Sequence, residues 1–268
     1  MTAIDPGNAC SAFSENELVE LLAIAEVHED AGGVLLSLAT RAGESADQVI
    51  EWLPDNWEDK LQGVVDLALR QAYAIAFSSR RGKRGVPTKT NEGMHRFATA
   101  VAGALGGMGG IATTLADLAV TTTIILRSVQ VIAASYGEDL EDPDVRAQCI
   151  AVFGLGGPLS DDDASETALW AGRIALSHGS VAGMIRAVSP AFGRMLSEGA
   201  LATAAPLIGA AAGAAINSTF TGYYQKMAHV HFRLRRLERY HTQEQVMACF
   251  ERIVLLERER RKTARKKR

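Results

Sequence analysis

Apolar residues recur along this chain at the three- and four-residue intervals of an amphipathic α-helix. The first such stretch follows Ser14 and Glu17, which have the spacing of a capping box. A second stretch has its apolar face between Leu61 and Ala72, and Asn56 precedes it in a position suited to a helix cap. No stretch alternates apolar and polar residues over the length of a strand. The pattern predicts an all-α fold.

Helix end signals divide the middle of the chain. A long helix is predicted over about 111–136, and Gly137 follows it as the residue favoured in a left-handed helix cap. Asp142 and Pro143 then begin another helix, because Asp caps well and Pro is accepted at the first helical position.

The length of 268 residues suits a single compact multi-helix domain with long Gly/Ala-rich central helices. We predict an N-terminal helical extension over 1–32, a main helical domain over 33–240 and a C-terminal basic helix over 241–268. The last third of the chain is predicted to form two long helices, over about 199–240 and 243–263.

Two segments contain no charged residue: 97–116 and 199–225. Their lengths meet the requirement of roughly 20 residues for crossing a bilayer, but Ala, Gly and Thr dominate them rather than Leu or Phe. Glycines spaced four apart in these segments favour close contact between helices. They are Gly103, Gly107, Gly209 and Gly213. Such glycines either pack central helices inside a soluble bundle or allow the helices to insert into a membrane.

Two charges, Asp117 and Arg127, interrupt the apolar helix over 111–136. They lie about 80° apart around a helix and about 15 Å apart along it, so they cannot pair directly. Thr121 shares the stripe of Asp117, and Asn217 is a candidate partner from a later helix. We predict a buried polar site formed by these four residues. It either fixes the register of the helices or binds a ligand or ion.

Motifs for catalysis and metal binding are missing from the sequence. It contains no H-E-x-x-H, no G-x-S-x-G and no P-loop, so we predict no metal, no cofactor and no catalytic residue. Cys10, Cys149 and Cys249 are far apart along the chain, which predicts reduced cytoplasmic thiols rather than a disulfide framework. No secretory signal peptide is predicted.

A net charge of −3 conceals a basic end, because residues 257–268 contain eight basic and two acidic residues. No aromatic residue is interleaved there to stack on bases, so nucleic acid is not a predicted partner. The end is either a solvated helix terminus or an anchor for anionic lipid headgroups. A second basic stretch, 80–96, precedes the first uncharged segment, as expected on a cytoplasmic flank. The candidate membrane-surface residues are Arg261, Lys262, Arg265, Lys266 and Lys267.

Several short sequence runs within residues 33–239 are, in combination, typical of one protein family. The first block of runs is LADL at 115–118, RSVQVIA at 127–133, YGED at 136–139, DPDVR at 142–146 and VFGLGG at 152–157. The second block is PLIGA at 206–210, GAAIN at 213–217, YY at 223–224 and RLR at 233–235. In this combination the chain resembles the EcsC family.

The resemblance implies an accessory role, because the family is named for a bacterial protein encoded beside the subunits of an ABC transporter. It brings no catalytic residues to this sequence. We therefore expect a non-catalytic cytoplasmic protein, peripheral on the inner membrane face, that meets an anionic membrane surface or a membrane protein complex, or that binds apolar ligands. The alternatives are a hydrolase-type enzyme with a polar site around Asp117 and a soluble scaffold protein. The sequence does not predict an oligomeric state.

Overall fold

Every regular element in the described part of the chain is helical. The structure is a computed structural model that describes residues 8–31, 57–78, 111–155, 180–203 and 209–266. None of these residues lies in a β-strand, so the predicted all-α fold is confirmed. The helices are α1 (15–31), α2 (Trp57–Ser78), α3 (Ile111–Ser135), α4 (Pro143–Ala151), α5 (Val181–Thr203), α6 (Gly209–Leu237) and α7 (Gln243–Lys266). Short 3-10 helices occupy Asn8–Cys10 and Val152–Gly154.

The predicted capping box at the start of α1 is confirmed. The Ser14 backbone N–H donates to Oε2 of Glu17 at 2.8 Å, and the Glu17 N–H donates to Oγ of Ser14 at 3.4 Å. Both interactions satisfy N–H groups that the first turn of a helix leaves without an intrahelical acceptor. Glu17 also contacts His241, so the same cap joins α1 to the turn before α7.

The turn between α3 and α4 also forms where the sequence predicts it. Gly137 has a φ of 81°, a backbone conformation that disfavours residues with a Cβ. The Asp142 side chain caps α4 by accepting from the Asp144 N–H at 2.9 Å, and Pro143 occupies the first position of the helix. Nearby residues in the sequence therefore determine where α3 ends and where α4 begins.

The predicted helix over about 199–240 has the wrong start. Residues 199–203 belong to the end of α5, and α6 begins at Gly209. Proline commonly marks a helix boundary, and Pro206 stands in sequence between the two helices. An unbroken run of uncharged residues, 199–225, continues across this boundary, so the charge pattern does not mark it.

The larger hydrophobic cluster lies among α2, α3, α4, α5 and the part of α6 up to Phe232. Three buried rings form its aromatic centre: Phe153, Phe192 and Tyr224, with centroids 4.9 to 5.6 Å apart. Burial raises the pKa of Tyr224 well above its usual range, so the phenol remains neutral. The neighbouring Tyr223 hydroxyl donates to the Leu155 carbonyl at 3.0 Å, which anchors the segment after α4 on α6.

A smaller hydrophobic cluster joins α1, α7 and the last turns of α6. Leu21 and Ile24 of α1 are fully buried in it, beside Phe250 of α7 and Leu234 of α6. Both ends of the described chain are therefore packed on the same helix that completes the larger cluster.

A disulfide closes the smaller cluster. Cys10 and Cys249 are bonded, with their Cα atoms 4.8 Å apart, whereas Cys149 is a buried free thiol. The prediction of three reduced thiols is wrong for this pair, because the packing of the N-terminal segment on α7 brings together residues separated by 239 positions.

Several predicted features lie outside the described residues: the cap Asn56, the basic stretch 80–96, and the glycines Gly103 and Gly107. Gly209 and Gly213 occupy the first two turns of α6, and the side chains around them are outside the described set. The role of these four glycines stays a prediction. None of the helices that the structure describes combines the length and apolar character needed to cross a membrane.

We expect Gly154→Ala to destabilise the fold by about 1–3 kcal/mol in urea unfolding, because overpacking displaces well-packed neighbours. A Cβ added at Gly154 would lie 2.8 Å from Cγ1 and 3.2 Å from Cβ of Val188. The control is Gly63→Ala, within α2, where an added Cβ meets nothing within 4 Å. This variant should gain about 0.5–1 kcal/mol from helix propensity. Equal effects of the two substitutions would contradict the close packing at Gly154.

Candidate functional site

A polar contact between α3 and α6 includes two of the four residues predicted to form a buried polar site. The Asn217 side-chain amide donates to Oγ1 of Thr121 at 3.2 Å. Thr221, one turn later on α6, donates its hydroxyl to the Asn217 carbonyl at 2.8 Å. Thr121 and Thr221 are both buried, so this contact is shielded from solvent and joins the two helices directly.

The other two predicted residues do not complete a described site. Arg127 is half-buried six residues after Thr121, which places it about 120° away around α3. Asp117 lies one turn before Thr121 in the same helix, and its side chain is outside the described residues. A ligand or ion site formed by all four residues therefore stays a prediction.

A group of charged residues lies where the α3–α4 turn meets the end of α6. Glu138 accepts from Nε of Arg235 at 3.2 Å and from Nη2 of Arg239 at 3.1 Å. Arg235 also donates to Asp144 at 2.6 Å. The Glu138 side chain is only 6 % exposed, so its charge depends on these guanidinium groups. We call Glu138, Asp144, Arg235 and Arg239 the arginine junction.

Helix ends explain why the arginine junction forms here. Asp144 lies in the first turn of α4, and Arg235 lies in the last turn of α6. A carboxylate is favoured near a helix N-terminus and a cation near a C-terminus, because each complements the helix dipole. Burial lowers the pKa of Arg235, but the nearby Glu138 and Asp144 carboxylates outweigh burial, and the net pKa is raised. The guanidinium therefore remains charged.

A cleft of about 210 Å³ opens at the arginine junction, lined by Glu138, Arg235, Glu238 and Arg239. Behind it, the Tyr136 hydroxyl and Nδ1 of His229 share a hydrogen bond of 2.8 Å. The Arg236 guanidinium carbon lies 5.8 Å from the centre of the Tyr136 ring, within the range of a cation–π contact.

The side chains at this cleft are mainly charged groups that pair with one another. Its carboxylates and guanidinium groups satisfy one another across the α3–α4 turn and the end of α6. Within the stretches that the structure describes, no group of three or more His, Cys, Asp or Glu residues could hold a metal ion. These ion pairs hold the α3–α4 turn against the end of α6, and the cleft presents a polar surface.

A second charged contact joins α1 to α6 and α7. Glu20 accepts from Arg233 at 2.8 and 2.9 Å and from Arg236 at 3.0 Å. On α7, Arg258 donates to Glu29 at 2.9 Å. We call the basic side of this contact the arginine face. It comprises Arg233, Arg236, Arg258, Arg260 and Arg261.

Two carboxylates at this contact, Glu20 and Glu257, are held in their charged form. The hydrogen bond from Arg233 lowers the pKa of Glu20. For Glu257 on α7, whose side chain is 1 % exposed, burial raises the pKa, but hydrogen bonds from Arg260 and Arg261 outweigh it and the net pKa is lowered. The ion pairs are therefore complete at neutral pH.

The predicted membrane-surface residues have different surroundings. Arg261 donates to Asp30 at 2.8 Å and to Glu257 at 2.9 Å, so it is part of the α1 contact. Lys262 is exposed in the next position of α7. Arg265 and Lys266 continue the helix with side chains outside the described set, and Lys267 lies beyond the described residues.

Sequence reasoning did not identify the arginine junction. Three of its four members belong to the YGED, DPDVR and RLR runs, but Glu138 and Arg235 are 97 residues apart and a single sequence does not show that they meet. The available signal was the concentration of opposite charges at two predicted helix ends.

We expect Arg235→Gln to destabilise the protein by about 1–3 kcal/mol in urea unfolding, because it leaves the nearly buried Glu138 carboxylate with fewer charged partners. The control is Arg70→Gln, which breaks an exposed i,i+4 pair with Asp66 and should leave the unfolding midpoint unchanged. If Arg235→Gln were as stable as wild type in urea unfolding, the junction would contribute nothing to stability.

We expect Glu17→Gln to lower stability by about 1 kcal/mol at neutral pH. Hydrogen bonds from the Ser14 side chain and backbone, followed by that from His241, lower the pKa of Glu17 from 4.5 to about 2 in the folded state. Because the folded pKa is the lower one, this stabilisation is complete above about pH 4.5 and is lost as the pH falls towards 2. The difference between wild type and variant in urea unfolding should shrink over that range. Glu15→Gln, at an exposed position of the same turn, is the matched control. A difference that does not depend on pH would contradict this assignment.

Comparison with known proteins gives one match. The EcsC protein family matches residues 44–237, a range that contains α2 to α6, the Thr121–Asn217 contact and three of the four residues of the arginine junction, with Arg239 two positions beyond it. The segment before residue 44, with α1, and the segment after 237, with α7, lie outside the match. No curated protein and no solved structure matches the chain. The match covers most of the sequence, and the chain belongs to the EcsC protein family.

Proposed function

We propose that this protein is a non-catalytic cytoplasmic accessory that binds an anionic membrane surface through the end of α7. One observation carries the proposal. Arg258, Arg260 and Arg261 of α7 are paired with carboxylates of α1 and with Glu257, whereas the seven residues 262–268 contain five basic residues and no acidic one. Positive charge without an acidic residue nearby in the sequence is therefore concentrated at the end of α7.

The shape of α7 suits contact with a flat anionic surface. The helix continues to Lys266, and residues 262–264 are exposed, so the basic end projects beyond the contact with α1. Each basic residue near anionic headgroups contributes about 1 kcal/mol, and five act together in this end. Salt screens such contacts, so the proposed binding is electrostatic and reversible.

The non-catalytic part of the proposal is supported by how the charged side chains are used. In the arginine junction and on the arginine face, carboxylates and guanidinium groups are paired with one another. Membership of the EcsC family agrees with an accessory role at a membrane protein complex, for which the lipid surface would provide the first attachment.

The test is flotation of the purified chain with anionic and neutral vesicles at low and high salt. We expect binding to phosphatidylglycerol-containing vesicles at low salt, its loss at high salt, and none to phosphatidylcholine vesicles. Replacing Arg265, Lys266 and Lys267 by Gln should weaken binding by at least about tenfold, because each residue contributes roughly 1 kcal/mol.

A matched variant tests whether vesicle binding depends on the position of these charges or only on their number. Replacing Arg70, Arg186 and Arg252 by Gln also removes three positive charges, at exposed positions away from the end of α7. This variant should bind nearly as well as wild type. Equal losses in the two triple variants would make the effect one of net charge alone. No binding of the wild-type chain to anionic vesicles would refute the proposal.

A further inference from the structure

The Cys10–Cys249 disulfide joins two segments that lie outside the family match. Cys10 belongs to the short helix Asn8–Cys10 that precedes α1, and Cys249 belongs to α7, whereas the match covers 44–237. Cys10 is 3 % exposed and Cys249 is fully buried in the smaller hydrophobic cluster. The bond therefore holds the N-terminal segment against the C-terminal helix.

The segment held by this bond covers the arginine face. The α1 carboxylates Glu20, Glu29 and Asp30 accept from arginines of α6 and α7, and Glu26 lies 3.7 Å from Arg260. With α1 in place, the charge of these arginines is largely compensated. If α1 moved away, these five arginines would lose their α1 carboxylates and would add positive charge to that at the end of α7, while Glu257 would remain paired with Arg260 and Arg261.

Cys10 is placed where a reductant can reach it by a small local opening. It lies in a three-residue helix, and its neighbours Asn8, Ala9 and Ser11 are exposed. Short elements near a chain end open with less free energy than a central helix does. In a reducing cytoplasm, disulfides are mostly transient and serve catalysis or redox sensing. The position of this one suits sensing, because it restrains the short segment that leads into α1.

We infer that Cys10 and Cys249 form a redox-controlled clasp that keeps α1 on the arginine face, and that reduction releases this face to anionic lipid headgroups. The inference rests on the proposed function, since it regulates the same membrane contact. A dithiol supplies two electrons and two protons. The S–S bond of the protein breaks, both cysteines become thiols, and the dithiol becomes a disulfide.

Reduction removes a covalent restraint but leaves the apolar contacts of α1 in place. Leu21 and Ile24 remain buried against α6 and α7, so α1 opens as an equilibrium and is not simply lost. Headgroup phosphates and the α1 carboxylates then compete for the same arginines. Vesicles that bind only the open form shift the equilibrium towards it.

The experiment compares the oxidised full-length chain with the chain in dithiothreitol, and with Cys10→Ser/Cys249→Ser. The control is Cys149→Ser, which removes the free thiol and leaves the clasp intact. We expect the amides of α1 to exchange with solvent about tenfold faster in the reduced protein and in the double variant, with α3 and α5 unchanged. Binding to phosphatidylglycerol vesicles should rise by about tenfold in the same two samples.

A second variant opens the contact without touching the cysteines. Glu20→Gln/Glu29→Gln removes the α1 carboxylates from three ion pairs with arginine. This variant should raise vesicle binding of the oxidised protein by a few-fold. Glu15→Gln/Glu244→Gln makes the same change in net charge at exposed positions and should have a smaller effect. This pair keeps the test usable if the double cysteine variant folds poorly.

The two readouts distinguish failure of the clasp from failure of the proposed function. Unchanged exchange of α1 on reduction would refute the clasp. Faster exchange with unchanged vesicle binding would refute the role of the arginine face, while the membrane function through the end of α7 would stand. No vesicle binding in either redox state would refute the proposed function and the lipid arm of the inference, and exchange of α1 would still decide whether the clasp opens.

Discussion

Burial of α6 along most of its described length is the constraint on which the rest of the structure depends. Phe220, Tyr224 and Phe232 place this helix in the larger hydrophobic cluster, and Val230 and Leu234 place it in the smaller one. Its last two turns then carry Arg233, Arg235 and Arg236, which hold the α3–α4 turn and α1. Because side chains only a few positions apart serve different clusters, a shift in the register of α6 would disturb both at once.

The charged contacts at the two sides of α6 have the same physical basis but different consequences. At the arginine junction, Glu138 is nearly buried and its partner Arg235 lies within the family match, while its other partner Arg239 lies two positions beyond it. At the arginine face, the acidic partners come from α1, outside the match. The second contact therefore depends on a segment that the family match does not include.

Local signals in the sequence were sufficient for helix ends but not for long-range pairs. Ser14 with Glu17, Gly137 and Asp142 were identified because a cap depends on residues within one turn. The Cys10–Cys249 bond depends on packing across 239 positions, and no local pattern encodes it. For the candidate polar site, helical spacing placed Thr121 on a stripe but did not establish its contact with Asn217, which requires the arrangement of α3 and α6.

The Cys10–Cys249 disulfide also has a topological consequence. It turns the chain between residues 10 and 249 into a covalent ring. A single proteolytic cut anywhere inside this ring leaves one molecule, and fragments separate only after the disulfide is reduced. Circularly permuted chains with new ends inside the ring would retain the same connection. The ring makes the oxidised protein tolerant of a break in any one of the connections between its helices.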